Sequence, residues 1–516
     1  NIIPVLLFGL SDITTRFWSV VSGIALIPLT FFISYFFTKK TKTSLFASFI
    51  VTFSPWSIIE SRLGYENHLS FVITLAAILL LLFHFGLIEK SIRNIRVRKY
   101  SLIASIVLLE ISIFTYAAQR IFIPVFVFVL LLLSFFNNGF NKHMKKILLV
   151  FVLVFITTSC LIINPKFRGR ASEEVWKLDQ ERVKVMEEYY HAAGISQIKI
   201  HPRVTWLLHN KYTYSALDFS ERYLDHFSPQ FLFFKGEASD ENIPGMGVLL
   251  LVEMILLPLG LISFLSKNKN GKSLLLFAWL LISPIPSALT KGGAHINRAS
   301  LMIVPLSIFS GYGLGIISDI RYKRLKILAI IFTFLFTIWS ILYSLHQIFI
   351  VKPILRSWYK QQVNRELTQK VLSYKDEYSS VVVTDDDYIF YLFYGKVKPN
   401  EFLGNADIKP ASEAKWERVD RWGNIYFKMP YRCPLSGKEK VLYVCKGDEV
   451  PQNSELVDIV YYSDGLPAYT FVEFYPLSER PQPLPELPQR LHYMVGIEKE
   501  DGNPDGIISE EHDSFW

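Results

Sequence analysis

The sequence predicts an α-helical polytopic membrane protein with a small C-terminal α/β domain outside the cytoplasm. Three observations carry that prediction. Of 516 residues, 51% are apolar and 41 are phenylalanine, more than a soluble core requires. Apolar runs of about 15–24 residues recur through the first two thirds, each near the length that crosses a hydrocarbon layer of roughly 30 Å as a helix. The charge is also divided. From residue 352 onward, 20 Lys and Arg stand against 27 Asp and Glu, although the whole chain carries +8. The positive charge therefore resides with the apolar part, where lipid phosphates rather than nucleic acid are its natural partners. Disordered and collagen-like chains are excluded.

Candidate spans fall at residues 17–37, 44–60, 69–88, 101–117, 121–136, 147–163, 246–265, 273–289, 299–318 and 327–350. Alternate short loops differ sharply in charge. One set carries 18 Lys and Arg, among them Lys39, Lys40, Arg93, Arg96, Lys145, Lys146, Arg321 and Arg324; the other offers only Arg62, Arg120, Lys291 and Arg298. Positively charged loops stay in the cytoplasm. That rule puts residues 1–16, the segment 164–245 and everything after 350 on the external side of a cell (inner) membrane. The chain opens on Asn1, inside an amphipathic stretch and with no signal-peptide n-region, and is read as lacking its natural N-terminus.

The segment 164–245 is too long for a mere connection and is expected to carry function. Within it, Ser172 to Tyr190 reads as an amphipathic helix with Glu173 and Glu174 in its first turn. Trp206 to Phe234, rich in Trp, Tyr, Phe and Leu, suits the membrane surface. The tail divides into a domain at 351–475 and an irregular stretch at 476–516, which starts with five prolines between Pro476 and Pro488. A helix near Ser357–Ser373 and strands at 381–384, 425–429, 441–444, 457–462 and 469–474 make the domain a small α/β unit. Cys160 lies in an apolar run, and Cys433 and Cys445 flank a turn. Whether that pair bridges depends on a Cα separation of about 4.4–6.8 Å, which spacing alone leaves open.

Four external loops bring ionisable groups to the membrane surface, where such groups are functional candidates. In the first, Arg62 and Glu66 stand four apart and are expected to share a helical face, as an ion pair, an anion site or a helix-end anchor. Arg120, in a tight loop after Tyr116, suits an anionic headgroup or the same anchoring role. The third loop, Lys291-Gly292-Gly293-Ala294-His295-Ile296-Asn297-Arg298, offers phosphate donors on a glycine hinge. The fourth is the aromatic stretch with His209, Asn210, Tyr223 and His226, residue types that stack on sugars and pair with hydroxyls, or that plug a core. Asp385-Asp386-Asp387 looks like a metal-binding triplet but reads as a helix cap. The histidines lack zinc spacing, and there is no Walker loop, dinucleotide fingerprint or nucleophile elbow.

The order of these pieces resembles the dolichyl-phosphate-mannose protein mannosyltransferase family, glycosyltransferase family 39, in its bacterial members. The similarity rests on Val5 to Asp12 with Thr15-Arg16, Ser54-Pro55, Ser61-Arg62 with Glu66, and Thr115-Tyr116 with Arg120 and Pro124. It continues through His209-Asn210, Tyr223 with His226-Phe227-Ser228-Pro229, and Ala294-His295 with Arg298 and Pro305. It covers about residues 4–320 and implies a GT-C-like fold, a polyprenyl-phosphate-linked sugar as donor, a hydroxyl acceptor on protein, lipid or glycan, and inversion at the anomeric carbon. The resemblance implies that Arg62, Arg120, His295 and Arg298 hold the donor phosphate and that His209, Asn210, Tyr223 and His226 meet sugar or acceptor. The family's acidic catalytic loop would precede the segment at Ile3 to Leu10, so Glu66 is the carboxylate remaining near the expected site. No cofactor or metal is required by anything visible. A transporter or flippase of lipid-linked sugars is the alternative, and broken midplane helices in inverted repeats would favour it.

Overall fold

A computed structural model of the chain describes residues 2–85, 95–138, 142–164, 207–237, 245–268, 271–290, 293–355, 363–385, 387–409, 418–427 and 433–475, with isolated positions between 184 and 192. It divides into two compact units, residues 1–360 and 361–516. The helix expected at 172–190 lies outside the described residues apart from those isolated positions, and the Pro-rich tail from 476 lies outside them entirely.

The first unit is helical. Among the described residues seven helices are long and apolar enough to cross a bilayer. After α1 (Ile2–Phe8), helix α2 (Asp12–Thr38) starts on a capping box in which Ser11 Oγ accepts from Thr14 N–H and Thr14 Oγ1 accepts from Ser11 N–H. It satisfies two of the amide donors that a helix start leaves orphaned. The span expected at 44–60 is broken. Helix α3 (Thr41–Phe53) stops at Ser54 and α4 (Pro55–Arg62) starts anew, because a proline nitrogen has no hydrogen to donate and pushes the residue before it out of helical geometry. Val248 carbonyl takes up the slack, accepting from Ser54 Oγ at 3.2 Å and from Trp56 N at 3.0 Å.

Helices α5 (Glu66–His84), α6 (Ile95–Thr115), α7 (Gln119–Asn138) and α8 (Lys142–Ile163) follow. Between α5 and α6 the contact is knitted by hydroxyls, with Ser70 Oγ 2.9 Å and Thr74 Oγ1 2.6 Å from Ser112 Oγ, the polar glue that apolar surroundings demand. The long segment after α8 supplies α9 (Lys211–Asp225) and a wide π turn at Gln230–Phe234. That turn is pinned to the bundle by Gly247 N–H on Phe233 O and Leu249 N–H on Leu232 O.

Then come α10 (Glu253–Lys267), α11 (Gly271–Ile282), the short α12 (Ile285–Ala288) and α13 (Ile296–Ala299), α14 (Ile303–Ser318) and α15 (Lys323–His346). Helix α14 is the central post, buried along almost its whole length. Its neighbour α10 approaches so closely that a Cβ on Gly260 would stand 1.7 Å from Phe309 O, and one on Gly313 2.1 Å from Leu256 O. Small residues at a helix crossing let backbones touch. Gly260→Leu should therefore separate α10 from α14, costing about 3 kcal/mol or more and read as lost folded protein on size exclusion in detergent. Helix α15 has the opposite character, exposing Phe332, Phe334, Leu335 and Leu342, which is how a lipid-facing helix is built.

The second unit is a seven-stranded mixed sheet in the order β2-β3-β4-β1-β5-β7-β6, from β1 (Ser380–Val383), β2 (Ala406–Lys409), β3 (Arg418–Trp422), β4 (Ile425–Phe427), β5 (Val441–Lys446), β6 (Ser454–Tyr461) and β7 (Pro467–Phe474). Helices α16 (Asn364–Tyr374), α17 (Tyr388–Tyr394) and α18 (Pro399–Asn405) accompany it. Strand β1 runs parallel to both β4 and β5. Its Val381, Val382 and Val383 are all buried, as expected of a strand covered on both faces. The sequence did not reveal β2 and β3, whose Asp407, Lys409, Arg418, Asp420 and Arg421 mask the apolar alternation.

Cys433 and Cys445 are bridged, with Cα atoms 5.1 Å apart. Cys433→Ser should destabilise the domain by about 2–4 kcal/mol, measured as a lower unfolding transition that reductant brings about in the wild type as well. The Asp triplet corrects an expectation. Asp387 stands at the N-cap position of α17 but makes no side-chain capping bond, and Asp385 turns instead to strands β5 and β7, accepting from Lys446 Nζ at 3.1 Å and Tyr469 Oη at 2.6 Å.

Candidate functional site

Helix α4 places Trp56 and Glu60 one turn apart, and the first turn of α5 supplies Asn67 and His68. Glu60 is sealed from solvent at 1% exposure, so its charge needs partners. Oε1 accepts from Asn67 Nδ2 at 3.3 Å and Trp56 Nε1 at 3.4 Å, while Oε2 lies 3.0 Å from His68 Nδ1. The network then crosses to the glycine-hinged loop that leads into α13. Asn67 Nδ2 also donates to Asn297 Oδ1 at 3.0 Å, and Trp56 Nε1 to Ile296 O at 3.2 Å. Two segments some 230 residues apart are thereby locked.

That third loop turns at Gly293, whose φ of 78° suits glycine. His295 caps α13, its Nδ1 accepting from Asn297 N–H at 3.3 Å. A ring nitrogen that accepts carries no proton, so in the neutral ring the proton is on Nε2. Nε2 faces Glu237 Oε1 at 3.1 Å. The His295 ring thus lies between a backbone amide on one side and the Glu237 carboxylate on the other.

Arg298 donates from Nη1 to Thr290 Oγ1 at 2.5 Å, and Arg222 of α9 donates to the carbonyl of the same threonine at 2.8 Å. Tyr116, in the loop between α6 and α7, joins this group. Burial raises its pKa, the charge and hydrogen bond of Arg298 oppose that rise, and the carboxylates Glu60 and Glu66 add to it. Tyr116, Arg298, Glu60 and Glu66 therefore share one electrostatic neighbourhood.

Arg62 and Glu66 do not share a helical face. Helix α4 ends at Arg62, Leu63 and Tyr65 are extended, and α5 begins at Glu66; two helix ends meet where one continuous helix was expected. Arg62 lies over the Phe349 ring at 4.4 Å. Its pKa is lowered by burial first and by the positive charge of Arg16 second. Two guanidinium groups close enough to repel each other favour an anion between them. Arg120 Nε donates to Ile113 O at 3.3 Å, at the end of α6.

The aromatic loop is more structural than expected. Asn210 is spent as the cap of α9, its Oδ1 accepting from the amides of Tyr212 and Thr213, which leaves that oxygen to the helix rather than to a sugar. Tyr223 Oη donates to Leu281 O at 2.8 Å, and His226 is fully buried with Nδ1 2.8 Å from Arg222 O. Burial lowers the His226 pKa. Tyr223 thus fastens α9 to α11, whereas His226 closes the end of α9 on itself. His209 is exposed, 3.2 Å from Tyr214 Oη and stacked on Tyr189.

The sequence did not single out Glu60, His68, Asn67, Glu237, Tyr116 or Arg16 as site residues. Glu60 carried a legible signal, a carboxylate at the end of an apolar run; Glu237 carried none. Among the described residues no three His, Cys, Asp or Glu side chains gather to hold a metal ion.

The chain matches no protein-family profile and no curated protein. Solved structures to which it is similar include the Archaeoglobus fulgidus oligosaccharyltransferase in complex with zinc and sulfate, at 13% identity and a TM-score of 0.42 over 76% of this chain and 52% of that one. The same archaeal enzyme AglB with an inhibitory peptide and a dolichol-phosphate gives 13% and 0.41, over 74% and 52%. ArnT from Cupriavidus metallidurans bound to undecaprenyl phosphate gives 10% and 0.42, over 76% and 72%. The chain spans about half the length of the archaeal structures. At these TM-scores and identities the likeness assigns neither reaction nor substrate.

Proposed function

We propose that this chain is a GT-C-like membrane glycosyltransferase that moves a sugar from a polyprenyl-phosphate donor to a hydroxyl acceptor on the external face of a cell membrane. The observation that carries the reading is the electrostatic coupling of guanidinium groups and carboxylates drawn from α2, α4, α5 and α13: Arg16 acts on Arg62, and Arg298, hydrogen-bonded to Tyr116, acts on that phenol together with Glu60 and Glu66. The ordered similarity to glycosyltransferase family 39 supports the same reaction. The surplus of Lys and Arg in alternate loops and the Cys433–Cys445 bridge both support the external placement, since cytoplasmic thiols are kept reduced.

In this reading the bond between the anomeric carbon and the phosphate oxygen breaks, and its electron pair stays on the phosphate. Arg298, with Arg16 and Arg62, stabilises that growing charge, an effect that counts in the transition state more than in the ground state. The acceptor oxygen attacks from the opposite face, and its proton goes to Glu66, exposed at the first residue of α5. Glu60 acts from behind, holding Asn67 and so the loop of Arg298. No step calls on a metal or cofactor.

The test uses the complete protein in vesicles with radiolabelled polyprenyl-phosphate sugars and hydroxyl acceptors. Transfer that survives a chelator is the expected result. No turnover with any such donor, alongside movement of the intact lipid-linked sugar between leaflets, would replace this reading by a flippase.

A further inference from the structure

The second unit places a polar cluster where its strand connections diverge. From the carboxyl end of β1 the chain leaves through α17 and α18 toward β2, β3 and β4 on one side of the sheet order; from the carboxyl end of the adjacent parallel β5 it leaves toward β6 and β7 on the other. Two neighbouring parallel strands whose connections part in this way open a crevice at their carboxyl ends, and in open α/β sheets that crevice is where ligands bind.

The residues at this point are not those of a plain strand end. Thr384 Oγ1 accepts from Lys446 N–H at 3.0 Å and joins the two strand ends. Asp385 Oδ2 accepts from Tyr469 Oη and Lys446 Nζ, and the Lys446 side chain is 45% exposed, so the cluster reaches solvent. A second, independent observation is Tyr391. It is 2% exposed, its hydroxyl has no hydrogen-bond partner, and the charges of Asp385 and Asp387 act on it. A buried hydroxyl left unpaired costs free energy, and phenylalanine would fill the same space without that cost.

We propose that this crevice is a saccharide-binding site in the second unit, separate from the residues assigned to transfer. The chemistry selects the ligand class. Asp385 only accepts, Lys446 only donates, and the phenols of Tyr391 and Tyr469 do both, which matches the mixed demand of neighbouring sugar hydroxyls. Among the described residues, the two carboxylates of Asp385 and Asp387 outweigh the ammonium of Lys446 and disfavour phosphate and other anions. A neutral sugar brings no charge to be desolvated and gives the Tyr391 hydroxyl its missing partner. This proposal stands on the second unit alone and does not depend on the transferase reading.

The full chain in nanodiscs free of polyprenyl lipids is examined by saturation-transfer NMR with free mannose, glucose, galactose and arabinose, and with inorganic phosphate as a separate probe. At least one sugar should receive saturation, and phosphate should not compete with it. Tyr391→Phe, which loses only the unpaired hydroxyl, should fold with an unfolding temperature equal to or above wild type and bind that sugar about fivefold more weakly, the effect of one lost hydrogen bond. Lys446→Gln should weaken it as well, whereas Arg298→Ala should leave it unchanged. Sugar contact that is unaltered in Tyr391→Phe, that vanishes in Arg298→Ala, or that is absent for every sugar overturns the proposal.

Discussion

Arg298→Ala should lower sugar transfer by about 10²–10³-fold, mostly in kcat, because removing one preorganised donor from a developing charge costs that much in comparable anion sites. The residue sits with Tyr116 and donates to Thr290, so its guanidinium is held in place before donor arrives. A ground-state binder would instead raise KM with kcat unchanged. Arg298→Lys keeps the charge but loses the planar fork and should recover only part of the rate. Labelled-donor assays in vesicles decide it: wild-type turnover in Arg298→Ala removes Arg298 from the mechanism. The same assay on Arg120→Ala and Arg62→Ala tells which other guanidinium groups act, and Arg120, tied to the Ile113 carbonyl, should matter least.

Glu60→Ala should cost about 3–5 kcal/mol of stability, since removing a buried carboxyl group leaves its three buried polar partners without an acceptor. His68 Nδ1, Asn67 Nδ2 and Trp56 Nε1 all lie against that one carboxylate, and His68 is wholly buried with it. Glu60→Gln retains one acceptor oxygen for Asn67 and Trp56 and should lose much less. Thermal unfolding in detergent reads both. If Glu60→Ala unfolds with wild type, the buried network is not what holds α4, α5 and α13 together. Because Asn67 passes the constraint on to Asn297, one residue from Arg298, the glutamine variant should also show a modest kcat loss with its fold intact.

Composition and charge determined a good deal by themselves. A run of apolar residues long enough to span a bilayer must be helical to satisfy its own backbone, so the spans at Asp12–Thr38, Glu66–His84 and Lys323–Leu355 were legible from their residues alone. The α/β character of the tail came from the same local signals, and β5 was recognisable because its residues from Val441 to Cys445 run apolar without a break. Other features depended on contacts between distant segments. The stretch at 44–60 read as one span, and only the structure showed it broken at Pro55 with the Val248 carbonyl filling the gap. Arg62 and Glu66 looked like one helical pair until two helix ends met between them. Asp387 looked suited to capping a helix start and Asn210 to meeting a sugar, yet of the two it is Asn210 whose side chain caps a helix, because nearby partners compete for a side chain and the sequence does not record which wins. Asn67 meets Asn297, and Asp385 meets Tyr469, across separations that no periodicity spans. A helix or strand is set by neighbours a few residues away, whereas a site is set by which faces come to lie together, and tertiary packing alone decides that.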